Sequence, residues 1–438
     1  MEWYWAGALM LGLVLTMMAI GLPVAVAFMA ANMIGVFVFL GGFIGIEQLV
    51  DNASDALSSF LLVTVPLFIM MGEIFFHTGI AGRVFDSLDA LFGRVRGRLS
   101  YVAIASGTIF AALSGSAMAN TAMMGSLMVP EMVKRGYKPH MAMGPIQGSA
   151  GLAILIPPSA LAVLLGSLAE INISALLIAG IVPGLILAAM YVVVVFVQVR
   201  IDPKAAPPYD VDPVPLGERL KGVVINVLPM GIVIFFVIGF MMLGIATPTE
   251  AAAFGVLGAF LLALIYRRFS WALVRKSMLG TLKVTVMVLF IILASTTFSQ
   301  IFAFSGASNG LLKWATGFDI APFVLVLAMF AIILILGCFI DGVSILLITL
   351  PVFMPLAKAL GYDQIWLGVI MLIGIEMGGL TPPFGLQLFV MQAVAPAGTR
   401  FEDVVRSAVP YLGCNALIVF AIMIFPAIAL WLPSVMAK

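Results

Sequence analysis

Charged residues are scarce in this sequence. Only 9% of its 438 residues are Asp, Glu, Lys or Arg, whereas 63% are hydrophobic. A soluble globular domain needs far more charge on its surface, so this composition excludes one. The apolar runs continue over about 20 residues without the alternation typical of a β-barrel, which leaves a polytopic all-α membrane protein.

Cysteine and histidine are also rare, with two residues of each. Cys338 and Cys414 are too few for a disulfide framework or a metal site, and we expect both to be buried packing residues. His77 and His140 have no acid at the spacing of a catalytic triad or a metal site. The chain lacks a GxxxxGK[ST] motif and a basic stripe, which argues against ATP and nucleic acid as partners.

The apolar segments that are present predict the membrane helices. The amphipathic stretch Ile80–Phe92 carries its charges at helical spacing and is expected to lie along the membrane surface. Arg200–Lys221 is rich in Pro and charge, so we interpret it as a cytoplasmic linker. In chain order, the apolar segments are 4–20, 22–42, 58–77, 100–130, 141–168, 174–199, 222–244, 248–266, 281–304, 322–357, 365–394 and 408–432.

The two sides of the linker share a pattern. When Pro355 is placed on Pro130, further residues coincide without a gap: Gly361 with Gly136, Tyr362 with Tyr137, Pro382-Pro383 with Pro157-Pro158, and Pro248 with Pro23. These identities predict an internal repeat, with residues 1–199 and 222–438 on either side of the linker 200–221. In each repeat we expect a re-entrant hairpin followed by a broken helix. In the first repeat the hairpin spans about 100–130 and the broken helix about 141–168. In the second repeat they span about 322–357 and 365–394.

Basic residues predict how the two repeats are oriented. RVRGR at 94–98 and KRGYK at 134–138 flank the first hairpin, which therefore enters from the cytoplasm. The second hairpin is bounded by Lys313 with Asp319 and by Lys358 with Asp363, a weak basic signal that suits the opposite face. An acidic loop with Glu47, Asp51 and Asp55 is expected outside. The repeats would then have inverted topology and periplasmic termini; the alternative is two tandem halves of one orientation.

Three interrupted stretches stand out within the apolar runs. These stretches are too rich in Gly, Pro and hydroxyl residues to form continuous spans. They are SGSAMANTAMMG (Ser114–Gly125), GSAGLAILIPPS (Gly148–Ser159) and GGLTPPFGLQ (Gly378–Gln387). A broken helix is tolerated in a membrane only where it faces protein or a water-filled cavity. Paired breaks in repeated halves indicate the midplane binding site of a secondary transporter. Carbonyls freed by the prolines near Gly378 and Thr381 suit Na⁺.

Single polar residues within these runs are the site candidates. An Asp near mid-helix costs about 2.5 to 3.5 kcal/mol on insertion scales, so Asp341 is either linked to a cation or caps a turn. Ser114, Ser116 and Asn120 either line the site or serve small-residue helix packing. Glu376 and Glu73 are left open between buried structural acids and ligands.

Four motifs occur together in order: SGSAMANTAMMG, LIPPS, ATPTEAAAFG and GGLTPPFGLQ. With them the chain resembles the large membrane subunit of tripartite ATP-independent periplasmic (TRAP) transporters over its whole length. The resemblance implies a Na⁺-coupled elevator importer that is not an enzyme and has no cofactor besides two coupling ions. It implies a first Na⁺ site formed by Ser114, Ser116, Asn120, Ala153, Ile156 and Pro158. It implies a second Na⁺ site formed by Asp341, Gly378 and Thr381. The remaining residues of the implied substrate-binding and ion-binding set are Gly115, Ser344 and Gly379.

The same resemblance implies partners and a location. The partners are a separate small four-helix membrane subunit, a periplasmic binding protein, the lipid bilayer and a small carboxylate solute such as a sialic acid or a C4-dicarboxylate. The location is the bacterial inner membrane. Three alternatives stay open: a stand-alone Na⁺/carboxylate symporter, an intramembrane enzyme that uses Ser114 or Asp341, and a channel.

Overall fold

The computed structural model describes residues 2–58, 60–92, 95–207, 215–317 and 322–436. Within these residues the regular elements are helices, which confirms the predicted all-α fold. Before the linker lie α1 (Trp3–Ala19), α2 (Val24–Phe39), α3 (Phe43–Leu57), α4 (Thr64–Thr78), α5 (Ile80–Phe92), α6 (Arg98–Ser114), α7 (Ala117–Lys134), α8 (Pro139–Gly151), α9 (Ala160–Leu168), α10 (Ile173–Ala179) and α11 (Ile181–Ile201). After it lie α12 (Leu216–Asn226), α13 (Leu228–Met242), α14 (Pro248–Ile265), α15 (Trp271–Phe304), α16 (Ala307–Gly317), α17 (Pro322–Gly337), α18 (Gly342–Ala359), α19 (Gln364–Gly379), α20 (Leu386–Val394), α21 (Phe401–Ile424) and α22 (Ala427–Met436).

Several of these helices can cross a membrane. In the described part of the chain, five continuous helical stretches have the length and apolar composition of a span, and two bent helix pairs raise the number to seven. Shorter apolar helices such as α6 and α19 fall below the length of a full span. The structure therefore supports a multi-pass membrane protein that also contains shorter apolar helices.

Three predicted boundaries were wrong. The stretch with Glu47 and Asp51, expected as a loop, is helix α3. The expected linker 200–221 is partly helical, because α11 runs to Ile201 and α12 begins at Leu216. The apolar segment 408–432 belongs to two helices, α21 and α22, which are separated near Pro426. In each case hydropathy located apolar residues but did not locate the helix ends. Asp319, which was named as a boundary residue of the second hairpin, lies outside the described residues.

The regions predicted as hairpins and broken helices contain interruptions at the expected places. α6 joins α7 through the first turn, Gly115–Ser116, and α17 joins α18 through the second turn, residues 338–341. α8 is separated from α9 by a 3-10 turn and the first break, residues 155–159. α19 is separated from α20 by the second break, residues 380–385. Each break contains a Pro-Pro pair with a cis peptide bond.

The two halves of the chain pack together through α8 and α21. Gly144 and Gly148 on α8 let the helices approach so closely that a Cβ at either position would lie less than 3 Å from the Tyr411 ring. Tyr191 on α11 donates a hydrogen bond of 2.6 Å to Asn415 Oδ1 on α21. Small residues at such contacts allow the close packing on which helix association in membranes depends.

The predicted amphipathic segment is helix α5, which is held by polar contacts at both sides. Asp89 accepts two hydrogen bonds from the Arg98 guanidinium, and Ser87 Oγ lies 2.8 Å from the Asn226 side-chain nitrogen of α12. These contacts tie α5 to the start of α6 and to α12. Its position on the membrane surface stays a prediction.

We predict that Gly148→Ala destabilises the protein by about 1 to 3 kcal/mol, because the added methyl overpacks against Tyr411. The matched control is Gly413→Ala on α21, where a Cβ meets no atom within 4 Å. That control should be neutral or more stable by about 0.5 to 1 kcal/mol, since Ala is the better helix former. Thermal unfolding in detergent measures both, and equal melting temperatures would contradict the predicted role of the α8–α21 contact.

Candidate functional site

A central cavity of about 500 Å³ lies where the two turns and the two breaks come together. Helices α4 and α15 close it from another side with Gly72, Glu73 and Val284 among the lining residues. The turns and the residues flanking the breaks contribute Ser114–Ala119, Ile340–Val343, Ile154, Ala160, Gly379, Leu386 and Gln387. Polar groups from distant parts of the sequence therefore share one cavity.

The first turn brings two helix ends to the cavity. Gly115 ends α6 in the left-handed region, with a φ of 60°, and a Cβ there would lie 2.9 Å from the Pro158 carbonyl oxygen. Ser116 then caps α7, where its hydroxyl accepts from the Ala119 amide at 3.4 Å. Glycine is thus required at position 115 both by the backbone conformation and by contact with the first break.

Asn120 lies behind the first turn and is fully buried. Its side-chain nitrogen donates to the Gly107 carbonyl at 3.0 Å, which ties α7 to α6. Its Oδ1 has no hydrogen-bond partner, and neither has the buried Oγ1 of Thr121. Buried oxygens are normally paired, so these two unpaired ones near the start of α7 are exceptions.

The first break packs against the rest of the first half. Ser159 caps α9 by accepting from the Ala162 amide at 3.2 Å. The Ile156 side chain presses on Gly184, where a Cβ would lie 2.7 Å from Ile156 Cγ1. Ala153, Ile156 and Pro158 are behind the cavity wall and do not line it. Only their backbone oxygens could serve a ligand.

Asp341 is the N-cap of α18 and lies in the wall of the cavity. Its Oδ1 accepts from the amides of Val343 at 3.0 Å and Ser344 at 3.2 Å, and its Oδ2 accepts from the Ser344 hydroxyl. Asp341 lies at a helix end because the apolar run is interrupted by the second turn. The capping alternative is the arrangement observed, and it leaves the carboxylate at the cavity.

The end of α19, just before the second break, touches the end of α17. A Cβ on Gly337 would lie 2.5 Å from Gly378 Cα, so both positions need glycine. The Gly378 carbonyl, expected to be free, accepts from the Thr381 amide at 3.0 Å, and the Thr381 hydroxyl donates to the Met377 carbonyl at 2.6 Å. Two other carbonyl oxygens converge instead: a Cβ on Gly385 would meet those of Gly379 and Thr381 at 2.7 and 2.9 Å.

The structure therefore divides the predicted site residues into two groups. Those that line the central cavity are Ser114, Gly115, Ser116, Asp341 and Gly379. Those that lie behind its wall are Asn120, Ala153, Ile156, Pro158, Ser344, Gly378 and Thr381. Ligand roles for both groups stay predictions.

Glu376 and Glu73 also line the cavity, although the sequence left their roles open. Glu376 is 7% exposed, and its Oε1 has no hydrogen-bond partner. Glu73 lies 3.2 Å from His77, one helical turn further along α4. An isolated Glu in an apolar run was the signal for Glu376, and the spacing of four residues on one helix face was the signal for the Glu73–His77 pair.

Comparison with known proteins adds to this geometry. The family described as "Tripartite ATP-independent periplasmic transporter, DctM component" matches residues 11–428. The chain is 34% identical over 393 residues to the C4-dicarboxylate TRAP transporter large permease protein DctM of Pseudomonas aeruginosa, with 89% of this chain and 90% of that protein covered. It is 31% identical over 432 residues to the ectoine TRAP transporter large permease protein TeaC of Halomonas elongata, with 97% of each covered.

Solved structures show a related fold at low identity. The Alcanivorax borkumensis YdaH transporter aligns with a TM-score of 0.67 at 14% identity, covering 91% of this chain and 96% of that one. Neisseria gonorrhoeae MtrF aligns with a TM-score of 0.63 at 12% identity, covering 97% of each. At this identity the likeness concerns the fold alone.

We predict that Asp341→Ala destabilises the protein by about 1 kcal/mol, because α18 loses its N-cap. Asp341→Asn should stay within about 0.5 kcal/mol of the wild type, since Asn caps helices as well as Asp does. Thermal unfolding in detergent compares the two variants. A similar loss in both would show that the charge, and not the cap, stabilises the second turn.

Proposed function

We propose a function that proceeds from one fact: the chain belongs to the family of DctM components of tripartite ATP-independent periplasmic transporters. The resemblance seen in the four motifs is thereby confirmed, and a transporter permease is not a class of enzyme. We propose that this chain is the large transmembrane subunit of a Na⁺-coupled importer of a small organic acid. The carboxylate class comes from relatives named for C4-dicarboxylate, ectoine and 2,3-diketo-L-gulonate transport.

One observation supports Na⁺ coupling most directly, namely the oxygen atoms gathered around the first turn, of which the buried Asn120 Oδ1 has no hydrogen-bond partner. At this turn, the Pro158 carbonyl lies against Gly115. Ser114 and Ser116 add hydroxyl oxygens at the cavity wall. Hard oxygen donors without a full set of carboxylates fit Na⁺, so we assign the first ion to this set.

The second ion is assigned to the second turn and the second break. Asp341 supplies a carboxylate at the cavity, and the carbonyls of Gly379 and Thr381 converge near Gly385. Gly378 keeps one lone pair beyond its bond to the Thr381 amide, because a carbonyl oxygen has two. The proposed ligand set therefore includes the carbonyl of Gly379, the residue after Gly378 in the set implied by the resemblance.

Two ions would supply enough energy for uptake without ATP. Two Na⁺ with one monoanion carry one net charge, worth about 2.3 kcal/mol per 100 mV. A tenfold Na⁺ gradient adds about 1.4 kcal/mol for each ion, which brings the total to about 5 kcal/mol. That energy corresponds to an accumulation of several thousandfold.

The proposal includes the architecture and the partners. We propose that residues 1–199 and 222–438 are inverted repeats in the inner membrane, with both termini periplasmic, and that the turns and breaks move together as an elevator. The family description names a periplasmic, tripartite system. We therefore propose a small four-helix membrane subunit and a periplasmic binding protein as partners.

We predict that the chain alone in vesicles with an inward Na⁺ gradient transports little solute, and that the small subunit and the binding protein raise uptake at least about tenfold. The reason is that the binding protein delivers the solute at high local concentration. Radiolabelled succinate is the first probe to test, because a C4-dicarboxylate names one relative. Full-rate uptake by the chain alone would favour the alternative, a stand-alone Na⁺/carboxylate symporter.

We predict that Asp341→Asn raises the Na⁺ concentration for half-maximal uptake by about tenfold, equivalent to about 1.4 kcal/mol of lost ion binding. The matched control is Asp363→Asn, because Asp363 caps α19 in the same way but does not line the cavity. A Na⁺ titration of uptake in vesicles measures both. An unchanged titration in Asp341→Asn would remove this carboxylate from the second ion site.

A further inference from the structure

Four exposed basic side chains lie around the junction of α5, α12 and the connection from α14 to α15. They are Arg83, Lys221, Arg267 and Arg268. Among the described residues, no Asp or Glu forms an ion pair with any of the four, whereas Lys138, for example, is paired with Asp202. Exposed cations without counter-ions from the protein favour an anionic partner.

Contacts between the elements bring these cations together. The Arg83 guanidinium lies over the Tyr266 ring, 5.7 Å from its centroid. The Tyr266 hydroxyl donates a hydrogen bond to the Ile225 carbonyl of α12. Arg267 and Arg268 follow Tyr266 directly in the chain. The two arginines after α14 therefore begin beside the cation of α5.

Helix α12 packs on α5 at the same place. A Cβ on Gly222 would lie 3.4 Å from Ser87 Oγ, and the Ser87 hydroxyl donates to the Arg83 carbonyl one turn earlier on α5. Lys221 directly precedes Gly222. The fourth cation is thus attached to the helix that contacts the Arg83 turn.

The acids on α5 and α12 do not balance these cations. They are Asp86 and Asp89 on α5 and Glu218 on α12. Asp89 already accepts hydrogen bonds from the Arg98 guanidinium. In the described part of the junction, two other acids stand against four cations, so a net positive charge remains.

An apolar stripe on α12 lies beside the cations. Leu216, Leu220 and Val224 recur every four residues, and each is more than half exposed. None of the residues of α12 is buried, and α12 forms a possible bent membrane span together with α13. An amphipathic helix with basic residues next to an exposed apolar face is typical of the interface between lipid headgroups and acyl chains.

Exposed aromatic rings indicate the depth of the junction. Helix α14, a possible membrane span, ends at Ile265, and Tyr266 follows it. Trp271, at the start of α15, is 79% exposed. Tyr and Trp are enriched where a membrane span meets the headgroups. The four cations therefore lie at headgroup level.

We propose that this junction binds an anionic phospholipid, whose phosphate pairs with Arg83 and Arg267 and whose acyl chains lie along the apolar stripe of α12. The planar guanidinium groups suit a phosphate, because each can donate two parallel hydrogen bonds to it. The apolar stripe commits the site to a lipid, since a free anion would leave that stripe uncovered. This proposal depends neither on Na⁺ coupling nor on the solute.

The test compares two lipids that differ only in the headgroup. The full chain is purified in detergent and titrated with phosphatidylglycerol and with phosphatidylcholine of the same acyl chains, and native mass spectrometry counts the bound lipid. We expect the wild type to bind phosphatidylglycerol at least about tenfold more tightly. The Arg83→Gln/Arg267→Gln double variant should lose most of this preference, because each cation near a membrane surface contributes about fivefold.

The matched control is Arg200→Gln on α11. Arg200 is also exposed, and its guanidinium lies over an aromatic ring, 5.0 Å from the centroid of Phe196, but it is not at this junction. We expect this variant to keep the preference of the wild type. If the double variant fails to fold, Lys221→Gln at an exposed position of α12 replaces it, with an expected loss of about fivefold.

The contrary results are distinct. Equal binding of the two lipids by the wild type overturns the proposal, and so does an equal loss of preference in Arg200→Gln, which would show attraction by overall charge. Displacement of phosphatidylglycerol by millimolar inorganic phosphate would assign the junction to a free anion. Loss of the lipid on addition of the small subunit would assign this surface to a protein partner.

Discussion

The structure depends on one constraint, which is that backbone amides and carbonyls in apolar surroundings must find partners within the protein. Interrupted helices therefore have to meet in one place. At the second break the Thr381 amide donates to the Gly378 carbonyl, and at the second turn Asp341 caps the amides of α18. Where local partners are missing, as at the uncapped start of α20, the groups adjoin the central cavity. The cavity therefore lies where the helices are interrupted.

Glycine makes this meeting possible. The pairs Gly337–Gly378 and Gly115–Pro158 bring backbone against backbone at distances that a Cβ would prevent. Helix α4 uses the same device, because a Cβ on Gly72 would lie 3.0 Å from the carbonyl oxygens of Leu113 and Ser114. Carbonyl oxygens can act as ligands only where side chains do not intervene. Glycines thus bring backbone oxygens of the turns and breaks close to one another.

Sequence reasoning located the breaks, because Pro-Pro within an apolar run has few structural explanations. It also identified Asp341 as a site candidate and left a cation-linked role and a capping role open, of which the structure shows the cap. It could not distinguish Glu376 from a structural acid, since burial and a missing partner are properties of packing and not of the local pattern. α3 was missed for the opposite reason: its charges resemble a loop, although an amphipathic helix can carry them on one face.

The acids of the cavity also bear on coupling. Under the proposed function, a carboxylate enters a space whose wall includes Glu73 and Asp341 and, among the described lining residues, no basic side chain. Unscreened like charges at 4 Å repel by about 4 kcal/mol at an effective dielectric constant of 20. Na⁺ at the two oxygen sets would reduce this repulsion, so each ligand raises the affinity for the other by the same factor. Coupling then requires no dedicated switch, because an empty ion site leaves the cavity too negative to hold the solute. A basic residue in the wall would hold an anion without Na⁺ and would weaken that dependence.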